Sequence, residues 1–339
     1  MSTPLLAGIL AFGLALGFVR ALWSERFAGL VLDIPNERSL HVRPVPRTGG
    51  IGLMLSVAVS ILVFQGGPAA LILPALGLAA LFLVDDVRGL PVPVRFVAQF
   101  SAAAAFFAWS GPYPYPLLLL PLLALGVVWC INLYNFMDGS NGLAGGVAVI
   151  GFGTYAVAAY LTGAGDLALL AAVIAGAASG FLVWNFDPAR IFLGDAGSIP
   201  LGFLAAAIGV EGWQRGTWPF WLPLLVFSPF VVDATVTLAR RIGRGEQPWQ
   251  AHRTHYYQRL IRSGWSHKRL ALAVYALMLA AAGSALSHRT AAAPAAAMHL
   301  VLWVAVYAGI AIAIDRRWSA AESVVATPTA ERSAREAAQ

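Results

Sequence analysis

Acidic and amide side chains recur at the ends of long apolar runs, and these are the residues that could do chemistry. Asp85 and Asp86 close the run LFLVDDVRGL. Asp138 follows another in NLYNFMDGSNGLAGG, and Asp187 and Asp195 lie together in WNFDPARIFLGDAGS. Carboxylates this close to hydrocarbon are costly and usually functional. Several of them, supplied by separate segments to one face, suit a divalent cation and a phosphorylated ligand.

Each motif has a bland reading beside the chemical one. Asp85 and Asp86 could cap a helix end and pair with Arg88, but a helix C-terminus carries a negative partial charge that disfavours carboxylates. Asn132, Asn135 and Asp138 recur every three residues, which puts neighbours on one helix face. They could form a polar seam between helices, yet the glycines that follow suit close approach of a ligand to the backbone. FLGDAGS puts Asp195 between glycines and Ser198 at an expected helix start, where free backbone N–H groups suit phosphate; Gly-Asp turns are also common in their own right. HRTHYYQRL carries His252, Arg253 and His255. Zinc would need further ligands that the neighbouring sequence lacks. The segment either brackets a diphosphate with basic side chains or is simply a basic loop at the membrane. Asp233, in SPFVVDATVTLARR, is either a structural partner of a basic residue or a support for the site. Asp166 and Glu211 read as ordinary loop charges on the outer side.

The elements that must position these residues are apolar helices. Of the 339 residues, 59% are hydrophobic and only 11% charged, with a mean hydropathy of +0.74; a soluble domain carries about a quarter charged residues. Such a chain is solvated by lipid, where only helices and closed barrels survive, and its unbroken apolar runs select helices over the alternation of a barrel. The runs fall at 4–22, 49–65, 68–84, 96–110, 117–134, 143–162, 167–184, 198–211, 219–239, 269–286 and 297–314, each near the length needed to span. The expected fold is therefore an all-α polytopic membrane protein of about eleven transmembrane helices.

Charge orients it. With the N-terminus outside, the outer loops hold only Arg215 and Arg289 of the 22 basic residues; the rest, including Arg38, Arg43, Arg47, Arg88, Arg95 and Arg253, fall inside. The N-terminus is thus expected to be periplasmic, the C-terminus cytoplasmic, and every acidic motif on the cytoplasmic face. The first run has no basic residue before it and Arg20 and Arg26 after it, the reverse of a cleavable signal peptide. Cys130 is the only cysteine, so no intrachain disulfide forms. The net charge of +6 follows membrane topology, which excludes nucleic acid and suits anionic lipid or phosphate. Residues 1–314 are expected to form a single membrane-embedded domain, and the Ala- and Glu-rich 315–339 a disordered cytoplasmic tail.

Taken in order, DIPNERSLHVRPVPRTGG, DDVRGL, NLYNFMDGSNGLAGG, FLGDAGS and HRTHYYQRL resemble the polyprenyl-phosphate N-acetylhexosamine-1-phosphate transferases, the WecA/MraY-like group, over about Asp33 to Leu260. The eleven-helix layout and the HRTHYYQRL loop look most like the WecA-type branch that starts O-antigen and related surface polysaccharides. The resemblance implies a multi-pass enzyme of the bacterial inner membrane. It implies transfer of a sugar 1-phosphate from a UDP-N-acetylhexosamine to undecaprenyl phosphate with release of UMP. Mg2+ is the implied cofactor, with Mn2+ as a substitute, and a homodimer is among the expected partners.

Residue by residue, the resemblance implies that Asp195 and Asn135 hold the metal. Asp85 and Asp86 would position or activate the lipid phosphate, and Asp138 would complete the acidic centre. Phe192 would stack on uracil, Asn141 and Asn185 would contact the nucleoside, and His252, Arg253 and His255 would bind the diphosphate. Many bacterial members have a second aspartate where this chain has Asn141, which keeps hydrogen-bonding capacity but loses the charge; this weakens metal binding at that position. A phosphate monoester, with a second pKa of about 6, hardly needs a strong base, so direct attack is favoured over a covalent aspartyl intermediate. Two other classes remain: a transporter, whose polar sites usually lie at the bilayer midplane, and a lipid pyrophosphatase, which would need no nucleoside pocket.

Overall fold

The computed structural model describes residues 2–24, 29, 31–35, 44–247 and 252–326, and they form an all-α polytopic membrane protein. Arg38 and Arg43 of the first motif lie outside the described residues. In chain order the helices are α1 (Ser2–Leu22), α2 (Gly49–Phe64), α3 (Ala69–Arg88), α4 (Val92–Trp109), α5 (Leu120–Met137), α6 (Leu143–Leu161), α7 (Gly165–Asn185), α8 (Asp195–Gln214), α9 (Trp221–Val226), α10 (Ser228–Gly243), α11 (Tyr256–Arg262), α12 (His267–His288) and α13 (Ala293–Ala326). A 3-10 turn over Leu117–Leu119 leads into α5. Between α1 and α2, strands β1 (Leu32–Asp33) and β2 (Val45–Pro46) pair antiparallel, with Leu32 opposite Pro46 and Asp33 opposite Val45.

Among the described residues, nine helices are long and apolar enough to cross a membrane, and Gly49–Phe64 is a shorter apolar helix. Each apolar run in the sequence has a helical counterpart, with two differences. The run at 198–211 is the later part of a 20-residue helix that starts at Asp195, because the DAGS residues belong to its first turn. The run at 219–239 is two helices, α9 and α10. Pro229 opens α10 and has no N–H to continue the ladder. The Ser228 hydroxyl donates to the Leu225 carbonyl instead, at 2.6 Å.

Glycine sets how closely helices approach where lipid supplies no hydrophobic drive. A Cβ on Gly176 of α7 would sit 2.0 Å from the Gly8 carbonyl oxygen of α1, and one on Gly180 2.4 Å from that of Phe12. The two helices pack backbone on backbone, and α6, α7 and α8 form the most enclosed part of the bundle, with 67%, 61% and 83% of their spanning windows buried.

Two charged regions differ from expectation. Glu211 is not a loop charge: it lies in the last turns of α8, only 4% exposed, bonded to Arg215 four residues on at 2.6 Å. Arg215 also reaches Asp166, in the first turn of α7, at 2.6 Å. At the other end of the chain, the stretch from Asp315 begins as helix, since α13 runs on to Ala326. Asp315 bonds Arg240 of α10 at 2.7 Å and Arg259 of α11 at 2.8 Å, which gives those turns a reason to stay helical. The remainder, from 327, lies outside the described residues.

Candidate active site

The acids gather at one end of the bundle, where α3, α5 and α10 finish and α8 and α11 begin. Asp85 and Asp86 occupy the last turn of α3, both buried. Their partners are not Arg88. The Asp85 Oδ1 accepts the Leu90 N–H at 2.5 Å and meets Arg95 of α4 at 2.9 Å. The Asp86 Oδ1 lies 3.5 Å from Arg47 Nε, and Arg47 donates to the Asp86 carbonyl at 2.9 Å. Two guanidinium groups therefore offset the unfavourable end of the α3 dipole.

The Asp86 Oδ2 accepts the Ala196 N–H of α8 at 3.0 Å. This changes the reading of FLGDAGS. The N-terminus of α8 does bind an anion, but the anion is the protein's own carboxylate. Asp195 opens α8 after Gly194, whose φ of +70° suits glycine. A Cβ on Gly194 would also sit 2.4 Å from the Arg47 carbonyl oxygen. Gly49 and Gly50 donate to the carbonyls of Phe192 and Leu193 at 2.9 and 2.8 Å, and Phe192 donates to that of Pro46 at 2.7 Å. A Cβ on Gly50 would come within 2.4 Å of the Gly197 backbone. RTGG and FLGDAGS are thus two backbones zipped together, which places Asp86, Asp195 and Arg47 at one point.

Asn135, in the last turns of α5, donates its amide to Asp195 Oδ1 at 2.8 Å and to Ser198 Oγ at 2.9 Å. The Asp195–Asn135 pair expected at a metal is therefore in contact. Asn132, one turn back, donates to Gln99 of α4 at 2.7 Å and to the Val128 carbonyl; it is the seam between helices, and only Asn135 belongs to the acid cluster. Asp138 follows α5. Its carboxyl is pushed well above the ordinary range, first by burial and then by repulsion from Asp195, Asp86 and Asp33. The residue keeps some exposure, but the groups packed around the carboxyl dominate.

The glycines after Asp138 do not open the backbone to a ligand. A Cβ on Gly139 would lie 2.1 Å from the Tyr257 hydroxyl, and one on Gly146 2.0 Å from the Tyr275 ring. Tyr257 Oη donates to the Phe136 carbonyl at 3.1 Å, and Tyr275 Oη donates to the Gly142 carbonyl. The small residues make room for two tyrosines, Tyr257 buried and Tyr275 half-buried, that dock α11 and α12 on the DGSNG turn. Ser140 adds a 2.8 Å bond to His267 at the start of α12.

Asn141 donates to Asp187 Oδ1 at 2.8 Å. Asn185, 4% exposed, accepts the Gly142 N–H at 3.0 Å and donates to the Ile191 carbonyl at 2.9 Å. Its amide is engaged at both ends in tying the DGSNG turn to the segment before α8, whereas Asn141 and Asp187 stay half-buried beside it. Phe192 is half-buried on the same segment.

HRTHYYQRL folds against this centre from the far side. His255 is buried, its ring 4.8 Å from His252 and 6.2 Å from Phe136, centroid to centroid. Arg253 makes no ion pair among the described residues. Asp233, whose role the sequence left open, holds the loop: it accepts the backbone N–H groups of Tyr256 and Tyr257, each at 2.9 Å, and meets His255 Nδ1 at 3.2 Å.

Sequence reasoning missed Tyr275, counted Arg47 and Arg95 only as basic inner residues, and quoted Asp33 and Tyr257 only within motifs. The signal for three of them was available: Asp33, Arg47 and Tyr257 all sit inside the ordered motifs.

No set of three or more His, Cys, Asp or Glu side chains among the described residues converges to hold a metal. The donors nonetheless fit Mg2+, which commonly takes one or two carboxylates and completes its shell with water and substrate phosphates. Asp195 and Asn135 adjoin, and Asp85 Oδ2 and Asp86 Oδ1 are buried without a hydrogen-bond partner. Asp86 Oδ1 has the Arg47 charge 3.5 Å away, but a buried acceptor such as Asp85 Oδ2 with no partner is rare unless a site uses it.

Residues 68–212 match the family described as glycosyl transferase family 4. The chain is similar to a probable undecaprenyl-phosphate N-acetylglucosaminyl 1-phosphate transferase of Bacillus subtilis, 30% identical over 263 residues covering 72% of this chain and 73% of the relative. It is also similar to a decaprenyl-phosphate N-acetylglucosaminephosphotransferase of Mycolicibacterium smegmatis, 29% identical over 77% of this chain and 75% of the relative. A phospho-N-acetylmuramoyl-pentapeptide-transferase of Halalkalibacterium halodurans is 28% identical over 69% and 80%.

Proposed function

The chain belongs to glycosyl transferase family 4, and on that premise we propose that it transfers an N-acetylhexosamine 1-phosphate from a UDP-sugar to undecaprenyl phosphate. The products are UMP and the lipid-linked diphosphate sugar that initiates O-antigen or another surface polysaccharide. The contact between Asp195 and Asn135, with Asp86 bonded to the first turn of the same helix, is the observation that carries this reading. It gives a diphosphate-sized charge a centre made from three separate helices, at the bundle end where lipid phosphate and soluble nucleotide meet. In this reading the centre faces the cytoplasm of the bacterial inner membrane, in keeping with the positive-inside rule.

An oxygen of the lipid phosphate attacks the sugar-bearing phosphorus, and the bond from that phosphorus to the bridging oxygen breaks, so UMP leaves with the electron pair. Phosphoryl transfer depends mainly on positioning and charge neutralisation. Mg2+ held by Asp195 and Asn135 would supply much of that neutralisation. Asp85 and Asp86, fixed by Arg95 and Arg47, shape the acceptor side. Asp138 completes the acidic centre. Phe192, Asn141 and Asp187 line the nucleoside side, with Asn185 holding their backbone. His252, Arg253 and His255 approach the diphosphate from the segment that leads into α11.

The test is UMP release by purified protein supplied with undecaprenyl phosphate and a panel of UDP-N-acetylhexosamines, with and without Mg2+ or Mn2+. Metal-dependent release that requires the lipid and disappears in Asp195→Asn supports the transferase and names its sugar. No UMP from any sugar, and no UMP binding by folded protein, would turn the reading to a transporter or a lipid pyrophosphatase.

A further inference from the structure

Asp233 lies in α10, 7% exposed, and among the described residues every hydrogen bond it accepts except one comes from the HRTHYYQRL segment. Its Oδ1 takes the Tyr256 N–H at 2.9 Å and lies 3.2 Å from His255 Nδ1; its Oδ2 takes the Tyr257 N–H at 2.9 Å. The exception is Thr237, one turn along α10, which donates to Oδ1 at 3.2 Å. An aspartate in a membrane-embedded stretch is costly, and capping a seven-residue helix is a small return for that cost. The contact to the imidazole supplies the missing reason.

A histidine ring bonded through Nδ1 to a carboxylate is fixed in both orientation and tautomer, and its Nε2 is turned toward the ligand. Apart from the capping-box contact of the His255 side chain with the Gln258 N–H at the start of α11, the ring has no hydrogen-bond partner but Asp233 among the described residues. The ring is held on its flanks by His252 at 4.8 Å, Tyr257 at 6.0 Å and Phe136 at 6.2 Å. Phe136 is the neighbour of Asn135, so the ring is packed directly against the element that supplies the acid centre.

We propose that Asp233 is the positioning residue of this site: it commits His255 Nδ1 to itself so that Nε2 is the nitrogen presented to the diphosphate. This rests on the transferase reading above. Asp233 acts through His255 and touches no substrate.

Two measurements test it. In wild-type protein carrying 15N-labelled histidine, the His255 signal, assigned by its loss in His255→Gln, should show a protonated Nδ1 and a bare Nε2 at the alkaline end of its titration. The opposite tautomer overturns the proposal, whatever the activity. In UMP release, Asp233→Asn should lower turnover about 10- to 100-fold, the usual cost of losing the partner that orients a functional histidine. Added to His255→Gln, the same change should cost no more than about a further two-fold, because coupled residues are not additive. Losses that multiply would make Asp233 a helix cap and nothing more. A wild type that releases no UMP counts against the proposed function instead, and the tautomer measurement still decides this inference.

Discussion

The two ends of α8 carry one carboxylate each, and they are handled in opposite ways. Glu211, at the end away from the acid cluster, is bonded to Arg215 on its own helix, and Arg215 also reaches Asp166, so both carboxylates share one guanidinium in direct contact. Asp195, at the other end, makes no ion pair among the described residues; its partner is the Asn135 amide. Asp138 nearby makes none either, and burial with three neighbouring carboxylates pushes its proton affinity up. The Glu211 end is electrostatically closed on itself. The Asp195 end is not closed in this way, which in the proposed reading leaves it for a cation and the anion that cation accompanies.

The sharpest way to break this contrast is Asp195→Asn. If the open end does the chemistry, losing a charge that holds the metal costs several kcal/mol of transition-state stabilisation, roughly a 10^3-fold loss of UMP release, with UMP-stabilised folding retained. The next effect down is steric. Gly50→Ala puts a methyl within 2.4 Å of the Gly197 backbone, and backbone cannot step aside cheaply. Overpacking of this kind costs roughly 1–3 kcal/mol, and it should separate Asp86 from α8 and lower melting temperature and activity together. Gly153→Ala, with nothing within 4 Å of the added Cβ, is the control and should leave both unchanged.

Asp138 sharpens the contrast through pH. Its folded proton affinity is raised from the ordinary value of 3.8, so the folded metal-free protein binds the proton more tightly than the unfolded chain. That contribution to stability is fully present below the unfolded value and is lost as pH rises through the folded one. Metal-free protein should therefore lose melting temperature with rising pH, about 1.4 kcal/mol for each pH unit in which the folded group alone holds the proton. Asp138→Asn should flatten that slope. Mg2+ should bind more tightly as pH rises, with proton release, because the cation competes with the proton. A slope identical in wild type and Asp138→Asn would remove Asp138 from the centre.

Much of the architecture was legible because lipid leaves few choices. Unbroken apolar runs must be helices, so the elements could be read one by one, and acids at their ends stood out against hydrocarbon. The motifs were legible as groups of residues but not as contacts. Nothing local in DGSNGLAGG distinguishes a glycine that admits a ligand from one that admits Tyr257 or Tyr275, which lie 118 and 129 residues from Gly139 and Gly146. Likewise the α8 N-terminus looked free for phosphate because Asp86, its occupant, comes from α3. The helical turns beyond Asp315 were missed for the same reason: their composition is that of a tail, and their partners come from distant segments, Arg240 and Arg259 for Asp315, the Ser263 carbonyl for Arg317 and Arg262 for Trp318.

The smallest effect concerns the closed end, and its smallness is the point. Glu211→Gln removes one of the two charges on Arg215 but leaves Asp166 at 2.6 Å. The Arg215 side chain is 36% exposed, so water screens what remains, and pairs of this kind are worth at most about 1 kcal/mol. Glutamine also takes a charge out of a buried position where one carboxylate oxygen already lacks a hydrogen-bond partner, which offsets part of the lost pairing. The expected result is a melting shift at the edge of detection and UMP release within about two-fold of wild type. A large loss of activity without a loss of fold would mean that the two ends of α8 are coupled along the helix, and that the Glu211 end is not closed after all.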